Sequence, residues 1–233
     1  MTELKTDLKK KTFSCFLKIL SPVHIGCDEV YEPTGFVVDE KTRELVIFDP
    51  FAFFGEMSAE DREKFTQICR KGTVSSILEI YKFLRGKEAK GRRVPLCSDF
   101  LSHYDQTLSL VNESDIQNEL RDFRIQRTAF HPHTGLACIP GSSIKGALRT
   151  AYLNAVAKSK KHLTTTSHKK LEEYLLDTDK AEKKIESDPF RLVKVSDFMP
   201  VRNVETRIVY AVNEKKGSGS NWLIMCCPNK DHS

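Results

Sequence analysis

The chain has 233 residues with a formal net charge of +5, 39% of them hydrophobic and 30% charged, enough for one large domain or two small ones whose core stands without staples. Mean hydropathy is −0.40, and the apolar runs around Val193 and at 222–227 fall far short of the roughly 18 residues needed to cross a bilayer. The charged start, MTELKTDLKKKTF, is followed by no apolar h-region, so the expectation is a cytoplasmic protein with no secretory signal and no membrane contact.

Residues 12–20 (TFSCFLKIL) alternate and are rich in aromatic and β-branched types, which predicts a first strand ended by Ser21-Pro22. His24-Ile25-Gly26 opens a loop running to Pro33-Thr34-Gly35. Residues 36–39 and 44–48 read as a hairpin around the turn 40–43, stopped by Asp49-Pro50. The period then changes. Ser58 followed by acids predicts a helix to about Arg70, broken by Gly72, and a second helix over 74–84 places Ile77, Ile80, Tyr81 and Leu84 on one face. A short helix is expected within 96–104 and a well-capped one over 112–123, after which 124–128 leads toward a loop, His131-Pro132-His133-Thr134-Gly135. Residues 136–139 form a brief strand, Pro140-Gly141 a tight turn, and a helix follows to about Lys158. A polar break at 164–167, a charged helix over 168–185, and strands at 192–198, 206–212 and 222–226 complete the chain, the last two joined by EKKGSGSN. Strands at both ends with helices between predict an α+β fold.

Seven cysteines show no CxxC pair and one adjacent pair, Cys226-Cys227, so they read as reduced thiols rather than a zinc or disulfide framework. No cofactor or metal is expected.

The charge is unevenly placed. Residues 139–170 hold Lys145, Arg149, Lys158, Lys160, Lys161, Lys169 and Lys170 and no acid, and the remaining 30 basic residues face 32 acids. The whole basic excess thus lies in one segment, the footprint either of a polyanion-binding face or of a solvated basic helix. Arg85, Lys87, Lys90, Arg92 and Arg93 form a second cluster, read as an exposed loop that reaches a phosphate backbone or merely links elements.

Within IPGSSIKGALRTAY, Ser142 or Ser143 is expected to cap the helix, whose unpaired N–H groups make a phosphate seat. Lys145, Arg149 and Tyr152 share one face, Gly146 lets a backbone approach, and Ile144, Ala147, Leu148, Ala151 and Ala155 would anchor the opposite face on a sheet. The order of residues fits neither a Walker A loop nor a serine-hydrolase elbow.

These residues carry a family resemblance. CIPGSSIKGALRTAYL resembles the turn-helix of the RAMP superfamily, the RNA-binding subunits of CRISPR effector complexes, and LKILSPVHIGCDEVYEP resembles its first strand and following loop. With VIFDPFAFF and DPFRLVKVSD in order, the chain is most similar to the Csm-type terminal backbone subunit of type III-A systems, over roughly 12–55 and 136–200. The resemblance implies a ferredoxin-like, RRM-type core (12–55 and 136–227) with a mainly helical insertion at 56–130 in one domain. It implies crRNA as the bound RNA, near its 3′ end, with target RNA met only indirectly. A RAMP backbone subunit and a small subunit of the type III-A complex are the implied neighbours. Members of this family carry a longer C-terminal half, so the expectation is either a shortened C-terminal part or one supplied differently.

The expected RNA-binding residues are Gly141, Ser142, Ser143, Lys145, Gly146 and Arg149, with His24, Gly26, Arg124 and Arg127 around the first loop. His24 reads as RNA-facing or as a locally bonded turn histidine, and the two arginines as phosphate contacts or surface groups. Asp28, with Glu29 and Glu32, is a weak catalytic candidate for the rival reading, a metal-dependent endoribonuclease of the same fold. His131 and His133 lack a third metal ligand at a recognisable spacing. Asp188-Pro189-Phe190-Arg191 reads as a structural turn, and Phe51, Phe53 and Phe54 as core.

Overall fold

A computed structural model describes residues 11–160, 167–176, 188–202, 204–213 and 221–228. The hairpin forms as the alternation predicts: β2 (Phe36–Asp39) pairs antiparallel with β3 (Glu44–Ile47) in the register Phe36↔Ile47 to Asp39↔Glu44. Asp39 accepts hydrogen bonds from the backbone N–H groups of Lys41 and Thr42, which sets the turn. β4 (Arg92–Pro95) adds to the other side of β3. Successive residues of a strand point to opposite faces, and here both faces are buried. Phe36, Val38 and Leu45 join one core cluster, while Val37, Val46 and Phe48 join a second with Ile80 and Leu84.

The second sheet has the order β1-β5-β7-β6, from β1 (Gly26–Val30), β5 (Ile125–Thr128), β7 (Asn221–Pro228) and β6 (Thr206–Asn213). β5 and β7 run parallel and the other pairs antiparallel. The sheets meet where Leu96 bridges Ile208 and the Cys97 N–H donates to the Ile208 carbonyl at 3.1 Å. Ile208, Ile224, Ile125, Val94, Leu45, Phe100 and Phe123 are almost wholly buried around this junction. Helices α3 (Val74–Leu84), α4 (Phe100–Ser109) and α5 (Glu113–Asp122) cover it with Leu78, Tyr81, Tyr104, Ile116 and Leu120. The architecture is the expected α+β, ferredoxin-like core with helical insertions.

α2 (Ala59–Lys71) starts on the Ser58 cap and ends at Gly72, whose φ of 61° suits glycine. Asp49-Pro50, read as a stop, instead opens α1 (Pro50–Glu56), because Asp49 accepts from the Ala52 N–H and proline suits the first helical position. Phe53 and Phe54 pack with Phe48 and Phe65, whereas Phe51 is 92% exposed.

Several expectations are corrected. Residues 12–20 form no strand: Phe13, Phe16 and Leu20 are exposed, and an alternating pattern becomes a strand only with a ladder partner. Residues 26–30, expected within a loop, form the edge strand β1, and residues 125–128, expected to lead into a loop, are the inner strand β5, so 56–130 contributes two strands as well as helices. The expected strands at 136–139 and 192–198 reduce to isolated bridges, Phe130↔Ala137 and Ile139↔Phe198, and a single 3₁₀ turn, Pro189–Leu192.

The second basic cluster is not a loose phosphate-reaching loop. Arg85 pairs with Glu40 and Asp105, Lys87 with Asp61, and Arg93 with Asp39 and Glu44, while Arg92 lies in β4. Four of its five charges, those of Arg85, Lys87, Lys90 and Arg93, are taken up by acids that folding brings alongside. α7 covers His168–Leu175 of the charged helix expected over 168–185; residues 177–187, the Thr164–Thr166 break and the 214–220 loop lie outside the described residues.

Candidate nucleic-acid interface

α6 (Gly141–Ser159) carries the acid-free segment, and its first turn is already engaged. Pro140 stands at the N-cap with no side-chain capping bond, so the expected Ser142 or Ser143 cap is corrected. The helix begins at Gly141, two residues earlier than a Ser142 cap allows, and the Gly141 N–H donates to the Asp197 carboxylate at 2.8 Å. Ser143 and Ile144 donate instead to the Pro140 carbonyl, at 3.0 and 3.3 Å. An anion thus sits at the positive end of the helix dipole, and the protein supplies it. Gly141 is buried, and a Cβ there would lie 2.1 Å from the Val195 carbonyl oxygen. The glycine is required by the close approach of 195–197 to the helix start.

Arg149 is similarly engaged. Its Nε and Nη2 donate to Asp188 at 3.0 and 2.9 Å, and Nη2 also to Glu172 of α7. The hydrogen bond to Glu172, then the Asp188 carboxylate, raise its pKa further. Tyr152, one turn on, has its ring 5.6 Å from Phe190. Asp188 accepts from the Phe190 N–H at 2.8 Å, so the 188–192 turn presents both a carboxylate and an aromatic ring to α6. Reading the sequence as a turn before a strand missed that Asp188, Phe190 and Asp197 act together as the support of α6. Their closeness within one ten-residue stretch, DPFRLVKVSD, was the available signal.

Because Arg149 and Tyr152 face that support, the small-residue stripe points away from it. Ala147, Ala151 and Ala155 are exposed and Leu148 is 50% exposed, which corrects the expectation that this stripe anchors on a sheet. Gly146 is exposed with nothing within 4 Å of a Cβ built there. Lys145 is half-buried and Lys158 exposed; among the described residues neither forms an ion pair, although Lys160 donates to the Tyr174 carbonyl at 2.7 Å. Lys161 lies outside the described residues.

The second group of expected residues gathers at β1 and β5. His24 Nδ1 lies 3.0 Å from the Cys226 carbonyl oxygen, a partner on β7 rather than within its own turn. Gly26 opens β1 opposite Thr128, and a Cβ there would make only an ordinary contact with His24. Arg127 pairs with Glu29, its guanidinium carbon 5.6 Å from the Tyr31 ring centre, whereas Arg124 is exposed. Asp28 sits at an irregularity of β1 with a φ of 58°, exposed to solvent. Among the described residues no group of three or more His, Cys, Asp or Glu side chains is arranged to hold a metal; the His131 and His133 rings stand 5.7 Å apart. All seven cysteines are free thiols, and burial pushes the Cys227 thiol up to about 11.

An α+β core carrying an acid-free helix on a Pro-Gly turn defines the class of this chain. Residues 16–223 match the RAMP superfamily, and the chain belongs to that family. No curated protein matches it. Among solved structures, it is similar to a chain of "Cryo-EM structure of Csm-crRNA-target RNA ternary complex in type III-A CRISPR-Cas system", with 16% identity and a TM-score of 0.48. The similarity covers 91% of this chain and 60% of that one, so the chain spans about three fifths of its length.

Proposed function

We propose that this chain is a non-catalytic crRNA-binding subunit of a type III-A CRISPR effector complex, bound near the crRNA 3′ end and capping the backbone filament. A RAMP backbone subunit and the small subunit are its neighbours in this reading, and target RNA is met through the guide. The observation that carries it is α6 itself, a helix without a single acid that exposes Ser142, Gly146 and Lys158 and leaves the half-buried Lys145 without an ion pair among the described residues. Membership of the RAMP superfamily supports the reading. Such a face suits backbone contact, which leaves guide bases available for pairing.

In this reading the expected residues divide the work. Arg149 holds α6 to α7 and the 188–192 turn, so RNA phosphates fall to Lys145, Lys158 and the first-turn serines, with Arg124 and Arg127 as a second, separate group. Filter binding of crRNA over a salt series tests this. Lys145→Ala and Lys158→Ala together are expected to weaken binding and lower the logarithmic salt slope by about 0.7 for each phosphate no longer neutralised, with an unchanged melting temperature. Arg149→Ala is expected to lower the melting temperature as its first effect, because it leaves two carboxylates without their partner. An unaltered affinity and slope in the double lysine variant would refute the assignment.

A further inference from the structure

A second site lies away from α6, at the base of the hairpin that carries His131 and His133. A cavity of about 360 Å³ opens between β4, the start of β6 and this hairpin, lined among others by Glu44, Arg92, Arg93, Phe130, Leu136 and Glu205. That volume is at the small end of ligand sites, which run from about 300 to 1,000 Å³; it admits a single base and excludes a duplex.

Its chemistry is specific. The Arg92 guanidinium carbon stands 4.0 Å from the centre of the Phe130 ring, and Nη2 donates to the Tyr31 hydroxyl at 2.8 Å. Arg92 forms no ion pair among the described residues, and its Nη1 is buried without a hydrogen-bond acceptor. Such a desolvated N–H without an acceptor is unfavourable, and a ligand that supplies one relieves it. Arg93, by contrast, is neutralised by Asp39 and Glu44. Glu205 is exposed at the cavity and has no ion pair among the described residues. The cavity is therefore lined by a guanidinium one of whose nitrogens is buried without an acceptor, by a carboxylate without an ion pair among the described residues, and by an aromatic ring on which that guanidinium already stacks.

We infer that this cavity takes an unpaired guanine of a bound RNA. Guanine alone among the four bases presents two neighbouring acceptors, O6 and N7, for a guanidinium fork together with N1–H and N2–H donors for a carboxylate. Phe130 and Leu136 supply the apolar contact that an unstacked base requires. Uracil lacks the amino donor, and the balance of Arg92 and Arg93 against Glu44 and Glu205 gives a polyphosphate no advantage. That the guanine belongs to RNA rests on the function proposed above; the guanine selectivity rests on this cavity alone.

Calorimetric titration of the full chain with GMP and with UMP tests the inference. GMP is expected to bind at least about fivefold more tightly than UMP, a modest share of what a well-made base contact discriminates. The preference is expected to vanish in Glu205→Gln, a substitution at an exposed position, and in Arg92→Lys, while Lys145→Ala leaves it intact. Equal affinity for the two nucleotides, or a preference that survives both substitutions, overturns the guanine site. If GMP binds selectively but an oligouridine strand does not bind at all, the assignment of α6 falls and the guanine site stands.

Discussion

Gly141 and Arg149 are both occupied by the protein itself, one through its backbone and one through its side chain. Adding a methyl group at Gly141 sets a carbon 2.1 Å from the Val195 carbonyl oxygen, and overpacking of this kind costs about 1–3 kcal/mol. Gly141→Ala should therefore lower the urea midpoint, while Gly146→Ala, with open space around it, should hold or slightly raise it, since alanine is the better helix former. Urea unfolding followed by circular dichroism distinguishes the two, and equal midpoints would contradict the role given to Gly141. At this scale the sequence disclosed which residues matter more readily than what they touch. The GSSIKGALR segment stood out by its lack of acids, yet the carboxylates that bind it lie 23 to 56 positions away along the chain. No local pattern predicts such a pairing. His24 is the same case, its partner being a backbone carbonyl 202 residues distant.

The β2–β3 hairpin shows where local chemistry does suffice. Its boundaries followed from alternation and from Asp39 at the turn, and α2, α3 and α5 followed from caps and apolar spacing. β4 and β5 were missed because four-residue strands with two arginines or an Arg-Thr pair have no strand signature; their neighbours in the sheet make them strands. The expected strand at 12–20 failed for the opposite reason, having the pattern without the partner. The turn itself carries a pH prediction. The backbone N–H of Thr42, followed by the Arg93 guanidinium, holds the Asp39 carboxyl below its ordinary value of 3.8. A lowered folded-state pKa means the stabilisation is complete above about pH 4 and is lost as pH falls through the folded value. A carboxyl-carbon NMR titration should place the Asp39 midpoint below 3.8, and Asp39→Asn should flatten the acid limb of stability. A midpoint at or above that ordinary value would rule this out.

Across the whole molecule, the two sheets are joined at one seam, where Ile208 meets Leu96 and Cys97 in a fully buried position. Ile208→Ala is expected to destabilise by about 2–5 kcal/mol, and Val201→Ala, at an 87% exposed site, by less than about 0.5 kcal/mol. Chemical denaturation checks the contrast, and comparable losses would place the seam elsewhere. The same burial orders the thiols. Exposed Cys15 and Cys69 should be alkylated first in native protein, and Cys226 and Cys227 only after unfolding, as mass spectrometry of partly labelled protein would show. The hairpin adds a constraint of its own. Val37 and Val38 are adjacent, yet they belong to different interiors, so slipping one strand by a single residue would turn each interior inside out at once. Two hydrophobic compartments lean on one ribbon, like rooms sharing a party wall, and neither can come down while the other stays standing.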